Sequence, residues 1–394
     1  MTVTAVRYDP FDPLVQDDPY PTYRRLRDHA PVYRCEHRKT WVLSRYDDVE
    51  AALLDPVTFS SAQGIFPTRK PGAAAQMLFP MMIMMDAPRH TQMRTLVGRV
   101  FTPRRIAALE DGVRTMTREL VDGASTRRSC DLTAQLAGPL PAMVIADLLG
   151  VPREDRDEFR RWSSTLVQSD PEQRESIRPG MEAAAALYGY LETFVADRRR
   201  APREDLISAL VHAQVDGQGL NDEELLGFCF LLLVAGHETT TNLLGNAAVV
   251  LAQHPDARTR LAADSSLIPA ALEELLRYDS PVQGLARTLT RDVELHGQHL
   301  PAGDTVLVLF GAANRDDRAF PDPDTFDIDR RPERQVAFGR GIHFCLGASL
   351  ARLEARVVLE ELLRRIPDWD IDLANASRVR SGPLRGYTSL PISW

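Results

Sequence analysis

Cysteine 345 stands in a ten-residue stretch, Phe338-Gly339-Arg340-Gly341-Ile342-His343-Phe344-Cys345-Leu346-Gly347, that runs straight into a helix-forming segment. Glycines at 339, 341 and 347 let the backbone enter left-handed or crowded conformations and let a flat ligand lie against it. Ala348 to Ile366, rich in Leu, Val, Glu and Arg and closed by Pro367, predicts a helix. A thiol just ahead of a helix N-terminus faces unpaired N–H groups, so Cys345 is expected to ionise more readily than a free thiol and to present a thiolate to a metal. Amide donors aimed at the sulfur would tune that metal. A dinucleotide site is a poor alternative: Gly339-Arg340-Gly341 begins like G-x-G-x-x-G, but Phe344 takes the third glycine's place and no βαβ unit surrounds it. Structural zinc needs four ligands, and apart from His343 no Cys or His lies at ligand spacing. Cys35, Cys130 and Cys229 have no comparable context and read as small buried hydrophobes.

A second chemical pattern interrupts an apolar helix. Asn221 as N-cap, acids at 222 to 224 in the first turn and Pro255 after His254 bound a helix from Asn221 to His254. At ~1.5 Å per residue it is about 50 Å long, enough to cross a domain. In its middle Ala235-Gly236-His237-Glu238-Thr239-Thr240 breaks a Leu-rich run, and a mid-helix glycine costs ~1 kcal/mol relative to alanine. The Thr239 hydroxyl can reach the carbonyl of Ala235, four residues back, while small side chains at 235 and 236 open a groove. A kink serving packing alone is the competing explanation. A carboxyl in such a groove is costly unless paired or wetted, which favours a functional Glu238 over a solvated one.

The segment 338–347 resembles F-G-x-G-x-H-x-C-x-G, the haem-binding signature of the cytochrome P450 superfamily, at every fixed position. The resemblance implies a mainly α fold with a smaller β region, and haem b held between the long central helix and the Cys-loop helix. It makes Cys345 the metal ligand, with Phe338, Gly339 and Gly347 in the cofactor loop. Ala235 to Thr240 resembles the family's [AG]-G-x-[DE]-T-[TS] segment. By that likeness Ala235 and Gly236 border the cofactor, and Glu238 and Thr239 form the acid–alcohol pair that passes protons during O2 activation. Glu274-Leu-Leu-Arg277 resembles the family's E-x-x-R, with Arg330 in its partner segment, and these three are structural. Haem propionates need cationic or donor partners, and His90, Arg94, Arg287 and His343 look like that set.

By family position the substrate pocket draws on Met81, Met82, Met84, Met85, Val234, Ala235, Val282, Leu285, Tyr387 and Thr388. Arg69 and Lys70, in a long loop expected over Ser60 to Pro80, could meet a substrate carboxylate; Met77 lies at the start of the methionine run. The implied activity is a monooxygenase that hydroxylates or epoxidises a mid-sized, largely apolar molecule, of polyketide, terpenoid, steroid or fatty-acid type. No flavin or nicotinamide motif is found, so electrons are expected from a ferredoxin with its reductase. Arg99, Arg104, Arg105, Arg340 and Arg352 are the candidate basic patch for it. A peroxide-driven peroxygenase and a non-enzymatic haem carrier or sensor are the alternatives.

The chain has 394 residues, 44% hydrophobic and 26% charged, with a net charge of −8. That is ordinary globular composition and argues against a nucleic-acid binder. No linker or repeat divides it, so one domain over 1–394 is expected. Met1 to Tyr23 shows no signal-peptide pattern, and the longest apolar run, Phe228 to Ala235, is far below the ~20 residues of a membrane span. With four scattered cysteines, this predicts a cytoplasmic protein without disulfides or a membrane anchor. Strands are expected near Trp41 to Ser44 and Thr305 to Phe310.

Overall fold

The computed structural model describes residues 6–67, 80–99, 101–168, 174–214 and 217–394. Helices dominate, and the described strands form small sheets of two to five strands. In the largest, the strand order is Val32–Cys35, Thr40–Leu43, Thr305–Val308, Leu285–Leu289, Phe59–Ser60. Thr40–Leu43 runs parallel to Thr305–Val308, with Trp41 opposite Val306, and the other neighbours are antiparallel. Both expected strands are present. The second ends at Val308 because Phe310 already opens a short helix, Phe310–Ala313. Sheet side chains such as Leu43, Val306 and Val308 form one buried cluster, separate from the main helical core.

The central helix spans Asp222–Gln253. Asn221 accepts from the Glu224 amide at 2.9 Å, and Glu224 accepts from the Asn221 amide at 3.1 Å, a reciprocal cap that satisfies two otherwise orphaned donors. Glu224 also receives Arg89 Nε at 2.6 Å, which fastens this end to the helix Arg89–Gly98. Apolar side chains on nearly every face bury the central helix against Pro139–Leu149, Arg156–Gln168 and Ala348–Arg365. It runs without a break through Gly236.

A buried ion pair anchors the approach to the cysteine loop. Glu274 and Arg277, both on Ile268–Tyr278 and both fully buried, meet through two bonds of 2.7 Å. Arg277 Nη1 donates to the carbonyls of Asn314 and Pro323, at 2.9 and 2.8 Å. Arg330 Nε adds a bond to Glu274 at 3.1 Å. Burying two charges costs several kcal/mol each unless every lone pair and proton is engaged, and this constellation comes close to that condition. Asn314 then accepts from the Val336 amide at 2.8 Å, two residues before Phe338. The network therefore fixes where the cysteine loop begins. No helix among the described residues is long and apolar enough to cross a membrane.

Candidate active site

The loop from Val336 to Gly347 closes on itself: the Gly339 amide donates to Val336 and the Cys345 amide to Phe338, both at 2.9 Å. Gly339 and Gly341 have φ of 68° and 66°, in the left-handed region. At Gly341 a Cβ would also lie 2.6 Å from the Leu53 carbonyl oxygen, so glycine is required there twice over. At Gly347 a Cβ would meet nothing within 4 Å, which leaves room for a flat group beside the thiol. Arg352 lies over the Phe338 ring at 4.5 Å while its Nε donates to Glu273 at 2.5 Å, so the loop is braced by the helix Ala348–Arg365 that follows it.

The expected easy ionisation of Cys345 is corrected by the structure. Burial pushes its pKa up, and the Gly347 amide, Arg94 and Arg352 pull the other way without prevailing. Desolvation of a thiolate is the larger effect, and it cannot be read from a helix start in sequence. Burial thus favours the neutral thiol, and a metal cation bound to the sulfur would favour the thiolate.

The four residues proposed around the propionates converge. His90 and Arg94 share one face of Arg89–Gly98, Arg287 lies on the strand Leu285–Leu289, and His343 sits in the short turn before Cys345. The His90 and His343 rings are 4.3 Å apart between centroids. Burial, then His90, Arg287 and Arg94, holds His343 down at about 3. Burial also depresses His90 and Arg94, and brings Arg287 down to about 10 against a modest pull from Asp86. Asp86 is itself engaged by Ser60 and the Ser61 amide, at 2.5 and 3.0 Å. Among the described residues, His90 Nδ1 and His343 Nε2 are buried with no hydrogen-bond partner, and Arg287 Nη1 donates to the adjacent Ala286 carbonyl alone. With Asp86 the nearby carboxylate and already engaged by Ser60 and Ser61, this gathering of donors and cations is unfavourable alone. Two carboxylates entering beside Cys345 would satisfy them, so the residues fit a dipropionate macrocycle.

On the central helix the Thr239 hydroxyl donates to the Ala235 carbonyl at 2.6 Å, as the spacing predicts. Ala235 is exposed although the helix is buried before and after it, so the notch opens onto a cleft. Burial raises Glu238 to about 7. A Cβ on Gly236 would come within 2.9 Å of Ile145 Cδ1, which shows how closely Pro139–Leu149 crosses behind the notch.

Other expected pocket residues divide. The turn Met82–Met84 packs on the central helix, with Met81 and Met82 buried and Met84 and Met85 half-buried. Val234, Val282 and Leu285 are half-buried. Tyr387 is 3% exposed, lies in the main core and touches the position of Gly245, while Thr388 is exposed with its hydroxyl on the Ser377 carbonyl. Arg69, Lys70 and Met77 lie outside the described residues. In the candidate basic patch Arg104 and Arg105 are exposed, Arg99 donates to the Gln214 carbonyl, Arg340 lies 3.9 Å from Glu50, and Arg352 is paired with Glu273. Sequence reasoning missed the Arg89–Glu224 tie and the partners of His237, both made between segments far apart in the chain.

Residues 18–367 match the family profile described as Cytochrome P450. The chain belongs to the cytochrome P450 family. It is 44% identical to the cytochrome P450 monooxygenase PikC of Streptomyces venezuelae, over 96% of this chain and 91% of that one. It is 40% identical to the vitamin D(3) 25-hydroxylase of Pseudonocardia autotrophica, over 100% and 98%. The crystal structure of CYP109E1 from Bacillus megaterium in complex with testosterone superposes with a TM-score of 0.87 at 38% identity, covering 95% of this chain and 99% of that one. The present chain is therefore a P450 monooxygenase of a haem-using family, with the P450 fold and bacterial relatives.

Proposed function

We propose that this P450 binds haem b on Cys345, seats its propionates on His90, Arg94, Arg287 and His343, and oxidises a mid-sized, largely apolar substrate of steroid, terpenoid or polyketide type. The unsatisfied donor cluster beside Cys345 is the observation that carries the reading. When bound, haem supplies the iron centre at which O2 is reduced and one oxygen atom is passed to substrate.

The protein's own part is positioning and proton control. Gly339 and Gly341 turn the backbone in the loop that carries Cys345, which would hold the haem through its sulfur, and partial burial limits the water that reaches it. Glu238, near pKa 7, can hold a proton at its carboxyl at working pH and release it toward Thr239 Oγ1 through water. The Thr239 hydroxyl, resting on the Ala235 carbonyl, is free to turn toward the cleft as donor. Met84, Met85, Val282 and Leu285 offer apolar, adaptable walls. The vitamin D(3) hydroxylase and the testosterone-bound relative favour a steroid-sized guest.

Electrons are assigned to a ferredoxin and its reductase. Glu238 and Thr239 disfavour a peroxide-driven enzyme or a haem carrier, neither of which requires delivered protons. The test is turnover with NADPH, ferredoxin reductase, ferredoxin and a panel of steroids, terpenoids, macrolides and fatty acids. The reading expects a ligand-induced shift of the haem spectrum and an oxygenated product with at least one apolar class. Product formed from peroxide alone, at rates equal to those with ferredoxin, would overturn it.

A further inference from the structure

His237 lies between Gly236 and Glu238 but points away from the cleft. On a helix, Ala235, Glu238 and Thr239 fall within one face, and His237 and Thr241 fall together on the opposite one. His237 is 4% exposed and its Nδ1 lies 2.7 Å from the Ser163 hydroxyl, on the helix Arg156–Gln168 and 74 residues away in sequence. The backbone of Gly138 lies close to the ring and favours its charged form, though burial outweighs it. A neutral imidazole has one donor and one acceptor, and the Ser163 hydroxyl engages the nitrogen at Nδ1. Burial holds His237 down at about 4, in keeping with that neutral form.

One turn later Thr241 repeats the attachment: its hydroxyl is 3.1 Å from the Ala137 carbonyl and 2.9 Å from the His237 carbonyl. Ala137 closes a π-helical turn, Thr133–Ala137, a geometry found often at functional sites. Ile145 packs close against Gly236. The back of the notch is thus attached to two stretches, the helix Arg156–Gln168 through His237 and the continuous run 133–149 through Thr241 and Gly236.

We propose that His237 is a positioning residue for oxygen activation: by its buried hydrogen bond to Ser163 it fixes the rotation of the notch, and so the aim of Glu238 and Thr239, relative to the helix Arg156–Gln168. This rests on the reading of Glu238 and Thr239 as the proton-delivering pair. His237 never meets substrate or cofactor. It acts from behind, through the turn that it shares with them.

Holoenzyme variants test it. In His237→Phe, volume is roughly kept but the hydrogen bond to Ser163 is lost, and product formed per O2 consumed is expected to fall ~10-fold, about the worth of one such bond. The carbon monoxide spectrum should stay that of wild type, and amide exchange over residues 233–241 should accelerate. His237→Gln, which can donate and accept at similar reach, should restore coupling. Ser163→Ala should lose coupling in the same direction, adding nothing to His237→Phe; should His237→Phe not fold, Ser163→Ala carries the test alone. Unchanged coupling in His237→Phe or Ser163→Ala, failure of His237→Gln to restore it, or lower thermal stability with coupling and amide exchange intact would each overturn the proposal. Thr239→Ala run alongside separates the two readings. If it too leaves coupling unchanged, the notch is not the proton path; if only it uncouples, the notch stands and His237 is structural.

Discussion

Glu238 is half-buried and Glu354 fully buried, and their surroundings give the two carboxyls different consequences. Glu238 opens onto the cleft with a pKa near 7, so its capacity to donate a proton declines as pH rises through that value. Turnover at saturating substrate is expected to fall on that alkaline limb, and Glu238→Gln to show a ~100-fold lower rate without the limb. A rate profile from pH 6 to 9 checks both. Glu354 lies 2% exposed in the cysteine helix with Oε2 unpartnered, and burial lifts its pKa to about 8. A folded-state value above the unfolded one means that the stability of the protonated form is complete below the unfolded pKa, near 4.5, and is lost as pH rises through 8. Glu354→Gln should therefore match wild type at pH 5 and exceed it by a few kcal/mol, roughly, at pH 8 in denaturant titrations. The reverse order would show that an unseen cation partners the carboxylate. Cys345 obeys the same desolvation logic, which is why its helix-start position misleads when read from sequence alone.

Local order explains which elements were legible beforehand. The central helix announced itself through Asn221, its acidic first turn and Pro255, and the cysteine helix through Gly347 and Pro367, because caps and breakers act within a few residues. The strands at Thr40–Leu43 and Thr305–Val308 were legible from β-branched, apolar runs. Contacts between segments were not: Ser163 with His237, Arg89 with Glu224 and Arg352 with Glu273 depend on helix packing that no spacing encodes. Gly236 belongs at this scale. Alanine should gain ~1 kcal/mol of helix propensity there, but its Cβ would press on Ile145. Gly236→Ala is expected to lower both stability and coupling, and Gly236→Ala with Ile145→Val to recover most of each; thermal melts and product-to-oxygen ratios measure this. Recovery absent in the double variant would place the constraint elsewhere.

Across the whole molecule, charge and architecture set what can approach. The chain carries a net charge of −8, yet Arg99, Arg104 and Arg105 are near one another in sequence and exposed, while Arg340 and Arg352 spend part of their charge on Glu50 and Glu273. The patch is thus smaller than composition suggested, and its attraction for an acidic ferredoxin should be weak and screened over ~10 Å at 0.1 M salt. Ferredoxin-supported turnover should show a rising KM for ferredoxin with salt at nearly constant kcat; a KM indifferent to salt would count against this face. The Glu274–Arg277–Arg330 network, by contrast, bonds within itself and to backbone carbonyls. It holds the 314–336 segment that delivers the cysteine loop, as expected of structural residues. The central claim, that Cys345 gives its sulfur to haem iron, is tested most directly by the carbon monoxide spectrum of the reduced holoprotein. Wild type should show the red-shifted band of thiolate ligation and Cys345→His the band of imidazole ligation. An imidazole-type band in active wild type, or a thiolate band that survives Cys345→His, would contradict it.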